Sequence, residues 1–475
     1  WLGFFILLIV ALTFTAQDGD VFFYLSLGKM VFESGRIPEL DPFLYTFQNW
    51  NVLHQWLANL TFYVFYWVGG AWGLLVLKIT LWSLCFALLI RNGKRWGIQP
   101  ALTALIVTLT FIACAYRYID RASLMSDLIL AALVTLFLNN DAPKRKWLWF
   151  LPLLFAVWVN LHAGFVIGLA FVSVYLIAEC IFAKLKTNPI QNFAILTLCY
   201  LACLVNPRFV HGALFPLTTA FKPEWALYRA INFEWMPTFR DPFLSTWEVR
   251  ALILLLIFTA ISLAISSWRA PKKSVFAITA FCLYLYLAQD AARFLSTSAL
   301  GFSVIALYAI RENRFQLKDR VDRFLRWGFA TLFAAGAIWI VFNGYEPATG
   351  LRKFGVGIDP ESFPVEAVKH IKEKNLKGAI FNQYEWGSYL AWTLGPEKRL
   401  FIHGHIDDPK LLAGDYYGMS RSKEIFDSTV SRFDIRYFLL NRNILAMNPK
   451  PQLVDYLANW KVIYYDDTSV LWARE

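Results

Sequence analysis

Two carboxylates, Asp18 and Asp20, follow directly after an apolar run that begins at Trp1. Acidic side chains at the end of a membrane span are costly unless they face water, a partner or a substrate. Carboxylates two positions apart do not share a helix face, but in a turn they can hold one cation together. One of them can also act as a general base while the other orients it. A solvated acid pair at a helix end is the alternative.

Further polar side chains with binding or acid–base chemistry stand between apolar runs. His54 and Gln55 share a segment with the acid pair, and the corner "WVNLHAGF" contains Asn160 and His162. A histidine at the membrane interface is a candidate for function, although it can also be a hydrogen-bonded corner residue. The other candidates for substrate binding lie in "NPRFVHG", "FEWMP" and "AARF"; they are Arg208, Glu234 and Arg293.

Arg293 has the type of side chain that binds phosphate. An arginine can donate two parallel hydrogen bonds to a phosphate group, which a lysine does less well. The same guanidinium could instead pair with Asp290 or with a phospholipid. The sequence therefore leaves both a phosphate site and a structural ion pair open at this position.

The composition indicates the solvent that surrounds these residues. Of the 475 residues, 58% are hydrophobic and only 17% are charged, and the mean hydropathy is +0.46. A soluble protein of this length would carry more charge. The net charge of +11 would suggest a nucleic-acid partner for a soluble protein, but here the basic residues cluster in short loops between apolar runs. The charge therefore indicates membrane topology, and we expect no nucleic-acid partner.

Apolar runs of membrane-spanning length recur over residues 1–343. With the Lys and Arg clusters assigned to the cytoplasmic side, they predict about eleven transmembrane helices and a cytoplasmic N-terminus. The predicted spans are 1–16, 71–90, 100–117, 122–139, 147–161, 164–183, 190–206, 249–268, 274–289, 294–310 and 327–343. The sequence begins at Trp1 rather than Met, so we expect a few preceding residues. We also expect the first run to be a retained helix rather than a signal peptide.

The same assignment places the polar chemistry on the outer face. All six histidines and both acids of the opening pair fall there, in the loop 17–70, the loop 207–248, short corners or the tail. The pattern of the loop 17–70 predicts two amphipathic helices, the first of which ends at Gly35. We therefore predict a transmembrane domain over residues 1–343 that carries its polar groups at the outer helix ends.

Residues 344–475 have a different pattern, with dense charge and apolar runs of strand length. Strands are expected at "KGAIFNQ", "RLFIHG", "IRYFLLN", "KVIYYDD" and "SVLWARE". Helices are expected at "FPVEAVKHIKEKN", "EWGSYLAWTLG" and "KPQLVDYLANW". The mixture of strands and helices predicts an extracytoplasmic α/β domain.

Several of these segments occur in the same order in a known family. "DGDVFFYLSLG", "IPELDPFLYTF" and "HQWLANL" resemble D-x-D-x-W-W-H-L-x-x-G, I-P-x-x-D-P-F-S-Y-T and H-E-W-L of a bacterial branch of the GT-C membrane glycosyltransferases. Further matches are "WVNLHAGF", "LVNPRFVHG", "FEWMP", "AARF" and "IFNQYEWGSYLAW". The resemblance covers almost the whole chain. Where that pattern has W-W-H and D-G-R, this chain has "FFY" at Phe22–Tyr24 and "HGH" at His403–His405.

The GT-C superfamily includes the protein O-mannosyltransferases, the aminoarabinose transferase and the oligosaccharyltransferases. The resemblance implies a multi-pass enzyme of the bacterial inner membrane that moves a sugar from a polyprenyl-phosphate donor to a glycan or protein acceptor on the extracytoplasmic face. It implies that Asp18 or Asp20 is the catalytic base or a metal ligand, with Asp18 as the first choice, and that Arg293 contacts the donor phosphate. Some relatives need a divalent cation such as Mg²⁺ or Mn²⁺ and others do not, so the cofactor stays open.

Two other functions are open. A non-catalytic scaffold of GT-C type would bind a partner protein through its external α/β domain. A transporter would carry polar groups near mid-span. Only Lys78, Asp127 and Glu179 interrupt the spans in this way, and the sequence shows no opposing partner for them.

Overall fold

The computed structural model describes residues 1–47, 55–139, 145–182, 188–269, 271–348, 350–405, 408–447 and 452–474. The chain divides into two compact units. Unit 1 comprises Trp1–Phe14, Leu75–Pro216 and Asn232–Val356, and unit 2 comprises Thr15–Leu74, Leu217–Ile231 and Gly357–Glu475. Each unit is therefore assembled from three separate stretches of sequence.

Helices dominate both units. In chain order they are α1 (Leu2–Leu12), α2 (Asp20–Ser34), α3 (Trp56–Arg95), α4 (Pro100–Cys114), α5 (Ser123–Leu138), α6 (Leu151–Leu161), α7 (Phe165–Phe182), α8 (Pro189–Ala202), α9 (Phe209–Phe221), α10 (Ala226–Ile231), α11 (Trp247–Arg269), α12 (Pro271–Asp290), α13 (Leu295–Asn313), α14 (Asp319–Asn343), α15 (Val365–Glu373), α16 (Gly387–Leu394), α17 (Lys423–Arg432) and α18 (Gln452–Tyr456). Unit 1 contains α1, the second part of α3, α4–α8, the first part of α9 and α11–α14.

Each predicted span falls on one of the unit 1 helices. Five helices of the described chain are long and apolar enough to cross a membrane, namely Trp56–Arg95, Pro100–Arg117, Trp247–Arg269, Ala292–Asn313 and Asp319–Asn343. Other apolar helices are only 10–17 residues long. The predicted polytopic helical fold is confirmed, whereas the number of eleven spans stays a prediction.

The core of unit 1 lies around α13, whose residues from Leu295 to Ile310 are all buried. Helices α4, α5, α11 and α12 pack against it. Its small side chains allow close approach, as at Gly301, where a Cβ would lie 2.2 Å from the Tyr284 ring. In contrast, α14 exposes large apolar side chains such as Trp327 and Phe342. A helix with such a surface is suited to contact with lipid.

The two helices predicted in the first loop are present in unit 2. Helix α2 ends at Gly35, whose φ of +64° is the left-handed conformation that glycine adopts without cost. Its residues Val21–Gly28 are all buried, since α2 packs against α16 of the same unit. Helix α3 starts at Trp56 and changes direction at Gly70, where φ is +57°.

Gly28 lies at a close approach between α2 and α3. A Cβ at this position would lie 2.2 Å from the backbone oxygen of Asn59 and 2.6 Å from the Cβ of Tyr63. We expect Gly28→Ala to destabilise the protein by about 1–3 kcal/mol, because backbone atoms cannot move aside as a flexible side chain would. Thermal unfolding in detergent measures the effect. Gly69→Ala is the control, since a Cβ there meets nothing within 4 Å; equal stabilities of the two variants would contradict the expectation.

The tail of the chain contributes a mixed four-stranded sheet to unit 2. Its strands are β1 (Ala379–Asn382), β2 (Ile435–Asn441), β3 (Lys461–Tyr465) and β4 (Ser469–Ala473), in the order β1–β2–β4–β3. β1 runs parallel to β2, and β4 runs antiparallel to both β2 and β3. Phe438 of β2 lies opposite Trp472 of β4. The predicted α/β character of the tail is confirmed.

Two details of the tail differ from the sequence prediction. The segment "RLFIHG" forms no strand; Leu400 makes only isolated bridges to Leu44 and Ile380. The Leu400 N–H donates to the carbonyl of Phe43, a residue of the first loop, at 2.7 Å. The segment therefore pairs with the first loop and does not add a strand to the sheet. Helix α17 was not predicted, because its sequence "KEIFDSTVSR" is short and polar.

The proposed domain limits, 1–343 and 344–475, concern which residues lie in the membrane. The compact units follow a different criterion, and unit 2 includes 15–74 and 217–231 together with the tail. The membrane limits therefore stay a prediction.

Candidate functional site

Unit 1 contains a cluster of three arginines around one glutamate, which we call the arginine cluster (Arg117, Arg121, Glu234 and Arg293). Its members lie in the turns at the ends of apolar helices. Arg117 ends the 3₁₀ turn after α4, and Arg293 lies in the 3₁₀ turn before α13. Glu234 lies in a 3₁₀ turn that is capped by the side chain of Asn232.

Glu234 is the centre of the arginine cluster. Its Oε1 accepts from Arg117 Nη1 at 2.6 Å and lies 3.1 Å from Arg121 Nη2. Burial alone would raise the pKa of Glu234, but the positive charges of Arg117, Arg121 and Arg293 lower it far below its usual range. Glu234 therefore stays ionised beside the three arginines.

Arg293 is held by an aromatic neighbour. Its guanidinium carbon lies 4.5 Å from the centre of the Trp235 ring, within the range of a cation–π contact. The turn that carries Arg293 is fixed to the turn of Glu234, since the N–H of Ala292 donates to the Met236 carbonyl at 2.9 Å. The structure therefore brings together two predicted residues, Glu234 and Arg293, and adds two arginines that the sequence reading did not select.

The other predicted residues of unit 1 have local structural partners. The side chain of Asn160 donates to the carbonyls of Ala156 and Val205. His162 Nδ1 lies 3.0 Å from Ser126 Oγ and accepts the N–H of Gly164 at 3.1 Å. These contacts stabilise the corner between α6 and α7.

Arg208 lies in the turn before α9, and its backbone N–H donates to Asn206 Oδ1 at 2.9 Å. Substrate-binding roles for Asn160, His162 and Arg208 stay predictions.

Two charged groups within predicted spans have partners that the sequence did not show. Lys78 Nζ donates to Asp120 Oδ2 at 3.1 Å. Asp127 accepts hydrogen bonds from the hydroxyls of Ser296 and Thr297 of α13. A buried charge with such partners has a structural explanation.

Asp18 and Asp20 lie at the N-terminus of α2 in unit 2. Asp18 Oδ1 accepts the backbone N–H of Asp20 at 3.3 Å, and Asp20 is the first residue of the helix. Negative charge is favourable there, because the free N–H groups of a helix start carry partial positive charge. Gly19 between them allows the chain to pass close to the tail, since a Cβ there would lie 2.9 Å from the Glu385 carbonyl oxygen.

A histidine of the tail lies beside this acid pair. His405 Nε2 is 3.6 Å from Asp20 Oδ2. The His405 ring stacks on Phe23 with centroids 4.3 Å apart, and it lies 5.5 Å from the Tyr24 ring. The two segments in which this chain departs from the GT-C pattern, "FFY" and "HGH", are therefore in contact with each other.

The "HGH" segment is anchored in the interior of unit 2. His403 is fully buried, and its Nε2 lies 2.8 Å from Asp41 Oδ2. Asp41 Oδ1 also accepts the N–H groups of Phe43 and Leu44. Burial would raise the pKa of Asp41, but His403 and these N–H groups outweigh burial and hold it below its usual value. The backbone N–H of His405 donates to His403 Nδ1 at 3.2 Å.

A tyrosine of the "NQYEWGS" segment fixes the same turn. The hydroxyl of Tyr384 donates to the Gly404 carbonyl at 3.2 Å. Burial, with Tyr228 and Asp20 as neighbours, raises the pKa of Tyr384 well above its usual value. The hydroxyl therefore stays protonated and keeps its role as a donor.

The remaining predicted residues concern the first loop and a metal. Gln55 is buried just before α3, and its carbonyl accepts the Asn59 N–H; His54 lies outside the described residues. Within the described ranges, no group of three or more His, Cys, Asp and Glu side chains is placed to hold a metal ion. A Mg²⁺ or Mn²⁺ ion at Asp18 and Asp20 therefore stays a prediction.

Sequence reasoning missed Arg117, Arg121 and His405. A signal for the arginines was available in "YRYIDR", because two arginines at a corner assigned to the outer side run against the positive-inside rule. For His405 the sequence offered only its place in the "HGH" segment, where the GT-C pattern has D-G-R. His405 and Asp20 are 385 positions apart in the sequence and become neighbours only when the chain folds.

No protein-family model matches the chain, and no curated protein matches its sequence. Solved structures do match. The apo oligosaccharyltransferase of Archaeoglobus fulgidus is 11% identical, with 91% of this chain and 66% of that chain covered and a TM-score of 0.55. ArnT from Cupriavidus metallidurans bound to undecaprenyl phosphate is 12% identical, with 98% and 96% covered and a TM-score of 0.56.

A third match is AglB from Archaeoglobus fulgidus in complex with an inhibitory peptide and a dolichol-phosphate. It is 10% identical, with 99% of this chain and 73% of that chain covered and a TM-score of 0.58. Identities this low establish the fold alone. The chain is a multi-pass membrane protein with the fold of the GT-C membrane glycosyltransferases.

Proposed function

We propose that this protein transfers a sugar from a polyprenyl-phosphate donor to an acceptor. The arginine cluster carries the proposal. Three guanidinium groups lie around the ionised carboxylate of Glu234 at the ends of apolar helices. Such a site suits a phosphate that is attached to a long apolar chain, because guanidinium groups bind phosphate with paired, charge-assisted hydrogen bonds.

The chemistry of the transfer assigns a part to each set of residues. The acceptor hydroxyl must lose a proton to a carboxylate within hydrogen-bond reach, and Asp18 or Asp20 is the proposed base. The lipid phosphate leaves with the electron pair of the broken sugar–oxygen bond, and positive charge stabilises it. Arg293, Arg117 and Arg121 are the proposed source of that charge. Glu234 orients the arginines rather than the substrate.

The ligands of the structural neighbours agree with this donor class. ArnT was solved with undecaprenyl phosphate and AglB with a dolichol-phosphate, both polyprenyl phosphates. We propose the same class of lipid for this chain. The acceptor is proposed to be a glycan or a protein on the extracytoplasmic face of a bacterial inner membrane, with the N-terminus in the cytoplasm.

The test is transfer in proteoliposomes. Purified protein is given a panel of undecaprenyl-phosphate-linked monosaccharides with candidate glycan and peptide acceptors, and release of undecaprenyl phosphate is measured. Acceptor-dependent release supports the proposal. Binding of undecaprenyl phosphate without release from any donor would favour the non-catalytic scaffold instead.

Arg293 should contribute to binding of the lipid phosphate. We expect Arg293→Ala to weaken undecaprenyl phosphate binding about 10- to 100-fold, since hydrogen bonds to charged groups contribute roughly 1.5–3 kcal/mol. The affinity of Arg293→Lys for undecaprenyl phosphate should lie between those of the wild type and Arg293→Ala, because lysine keeps the charge but not the paired donors. Binding is measured by microscale thermophoresis in detergent.

Arg250→Ala is the matched control for this measurement. Arg250 is also stacked on a tryptophan, at 5.3 Å from the Trp247 ring, but it is exposed and has no place in the arginine cluster. Equal affinities of Arg293→Ala and Arg250→Ala would show that Arg293 does not contact the phosphate.

A further inference from the structure

We propose that His405 is a positioning residue for Asp20; this inference rests on the proposed function. His405 Nε2 and Asp20 Oδ2 are 3.6 Å apart, and their side chains are 18% and 19% exposed. The distance is slightly longer than a hydrogen bond, so a small rotation of the Asp20 carboxylate brings the atoms into contact. The imidazole can then limit the orientations that the carboxylate takes when the acceptor binds.

The orientation of the His405 ring is itself fixed. The ring is stacked on Phe23 at 4.3 Å with an interplanar angle of 17°, and Tyr24 lies next to it at 5.5 Å. A ring that is stacked on one neighbour and flanked by another cannot turn freely. The direction of Nε2 toward Asp20 is therefore determined by α2, the helix that Asp20 begins.

The backbone of His405 is fixed from the opposite side by the interior of unit 2. Its N–H donates to His403 Nδ1, which must therefore be an acceptor, so that Nε2 of His403 carries the hydrogen that it donates to Asp41. Because His403 is fully buried, this chain of hydrogen bonds is protected from water. A mobile surface histidine would have no such anchor.

Gly404 permits the close approach. A Cβ at this position would lie 3.1 Å from Asp20 Oδ1, tighter than an ordinary contact. Gly387 does the same for His403, since its Cβ would lie 2.5 Å from the His403 Cα. Both glycines allow the "HGH" segment to reach the acid pair without displacing it.

The two departures from the GT-C pattern are thus complementary. Tyr24 occupies the position at which the pattern has histidine. The tail of this chain supplies an imidazole beside Tyr24 and Asp20. The acid pair therefore still has a histidine neighbour, although it comes from a distant part of the sequence.

Replacement of His405 by phenylalanine tests the proposal. Phenylalanine keeps the stacking on Phe23 and removes Nε2, so packing is preserved and only the polar contact is lost. We expect kcat, with a lipid-linked sugar that the wild type uses, to fall about 10- to 100-fold, as expected for a misplaced reacting group. Undecaprenyl phosphate affinity and thermal unfolding should not change. H405Q should recover part of kcat, because its amide can donate to Asp20.

A double-mutant cycle separates positioning from packing. In the D20N background, H405F should cause no further loss, since a residue that acts through Asp20 has nothing left to position. A wild-type kcat in H405F would overturn the proposal. So would a kcat of the double variant that is lowered by the product of the two single losses.

A second measurement does not need turnover. In ¹⁵N-histidine-labelled protein in proteoliposomes, with the His405 signal assigned from H405Q, D20N should shift the imidazole ¹⁵N resonance of His405 and leave that of His211 unchanged. If the wild type transfers no sugar, the proposed function fails, and this resonance alone decides the contact. An unchanged His405 resonance in D20N would overturn the inference in either case.

Discussion

Replacement of Asp18 by asparagine should lower the rate of sugar transfer about 10²- to 10⁴-fold, the usual contribution of a general base. The fold should survive this change. In the structure Asp18 Oδ1 accepts the backbone N–H of Asp20, and the side-chain oxygen of asparagine can accept the same hydrogen. Asp18→Asn therefore removes charge and basicity and keeps the hydrogen bond. The measurement is acceptor-dependent release of undecaprenyl phosphate in proteoliposomes, with thermal unfolding recorded in parallel.

Asp466→Asn is a matched control for this experiment. Asp466 also accepts the N–H two residues further on, that of Thr468, but in the turn between β3 and β4. Its replacement should leave transfer unchanged. Asp20→Asn identifies which acid is the base: a loss confined to Asp20→Asn would transfer the role from Asp18 to Asp20. Full activity in both variants would show that the two acids stabilise the start of α2 and take no part in transfer.

Replacement of Arg117 by alanine should destabilise the protein by about 3–5 kcal/mol. Removing one partner of a buried ion pair leaves an uncompensated buried charge, and this cost exceeds that of losing the pair as a whole. Arg117 is almost completely buried, and its Nη1 is 2.6 Å from Glu234 Oε1. Arg121 still faces Glu234, so we expect the lower end of this range. Thermal or denaturant unfolding in detergent measures the change.

Arg326→Ala provides the comparison within unit 1. Arg326 pairs with Asp322 at 3.1 Å, but its side chain is 48% exposed, and such pairs contribute about 0–1 kcal/mol. In the Glu234→Gln background, Arg117→Ala should cost less stability than in the wild type, because the attraction between Arg117 and Glu234 is already absent. An equal cost of Arg117→Ala in both backgrounds would contradict the ion-pair explanation.

The first-loop helix was predictable in detail because its signals are local. The acid pair at its start and Gly35 at its end bracket α2 within one residue. The surroundings of α2 were not predictable in the same way. The apolar pattern of its sequence predicts an amphipathic helix at the membrane surface. In unit 2 these apolar residues pack against α16 of the tail. Hydrophobic periodicity shows that a face is covered and does not show by what.

The candidate site shows the same division between local and long-range information. Arg293 and Glu234 were selected by residue type, since each lies in a polar corner between apolar runs. Arg117 and its partner Glu234 are 117 positions apart in the sequence, and Asp41 and its partner His403 are 362 positions apart. Neither pairing follows a helical or strand period, so only tertiary structure reveals it.

On the proposed function, the arginine cluster would bind the released lipid phosphate more strongly than the sugar-linked donor. A sugar-linked lipid phosphate is a diester with one negative charge, whereas the released lipid phosphate is a monoester with about −1.5 to −2 at neutral pH. The guanidinium groups of Arg117, Arg121 and Arg293 attract the more negative product more strongly than the donor. The cluster would therefore stabilise the leaving group increasingly as the bond to the sugar breaks, which is the condition for rate acceleration. It would also hold the spent lipid, and release of that lipid would then limit turnover.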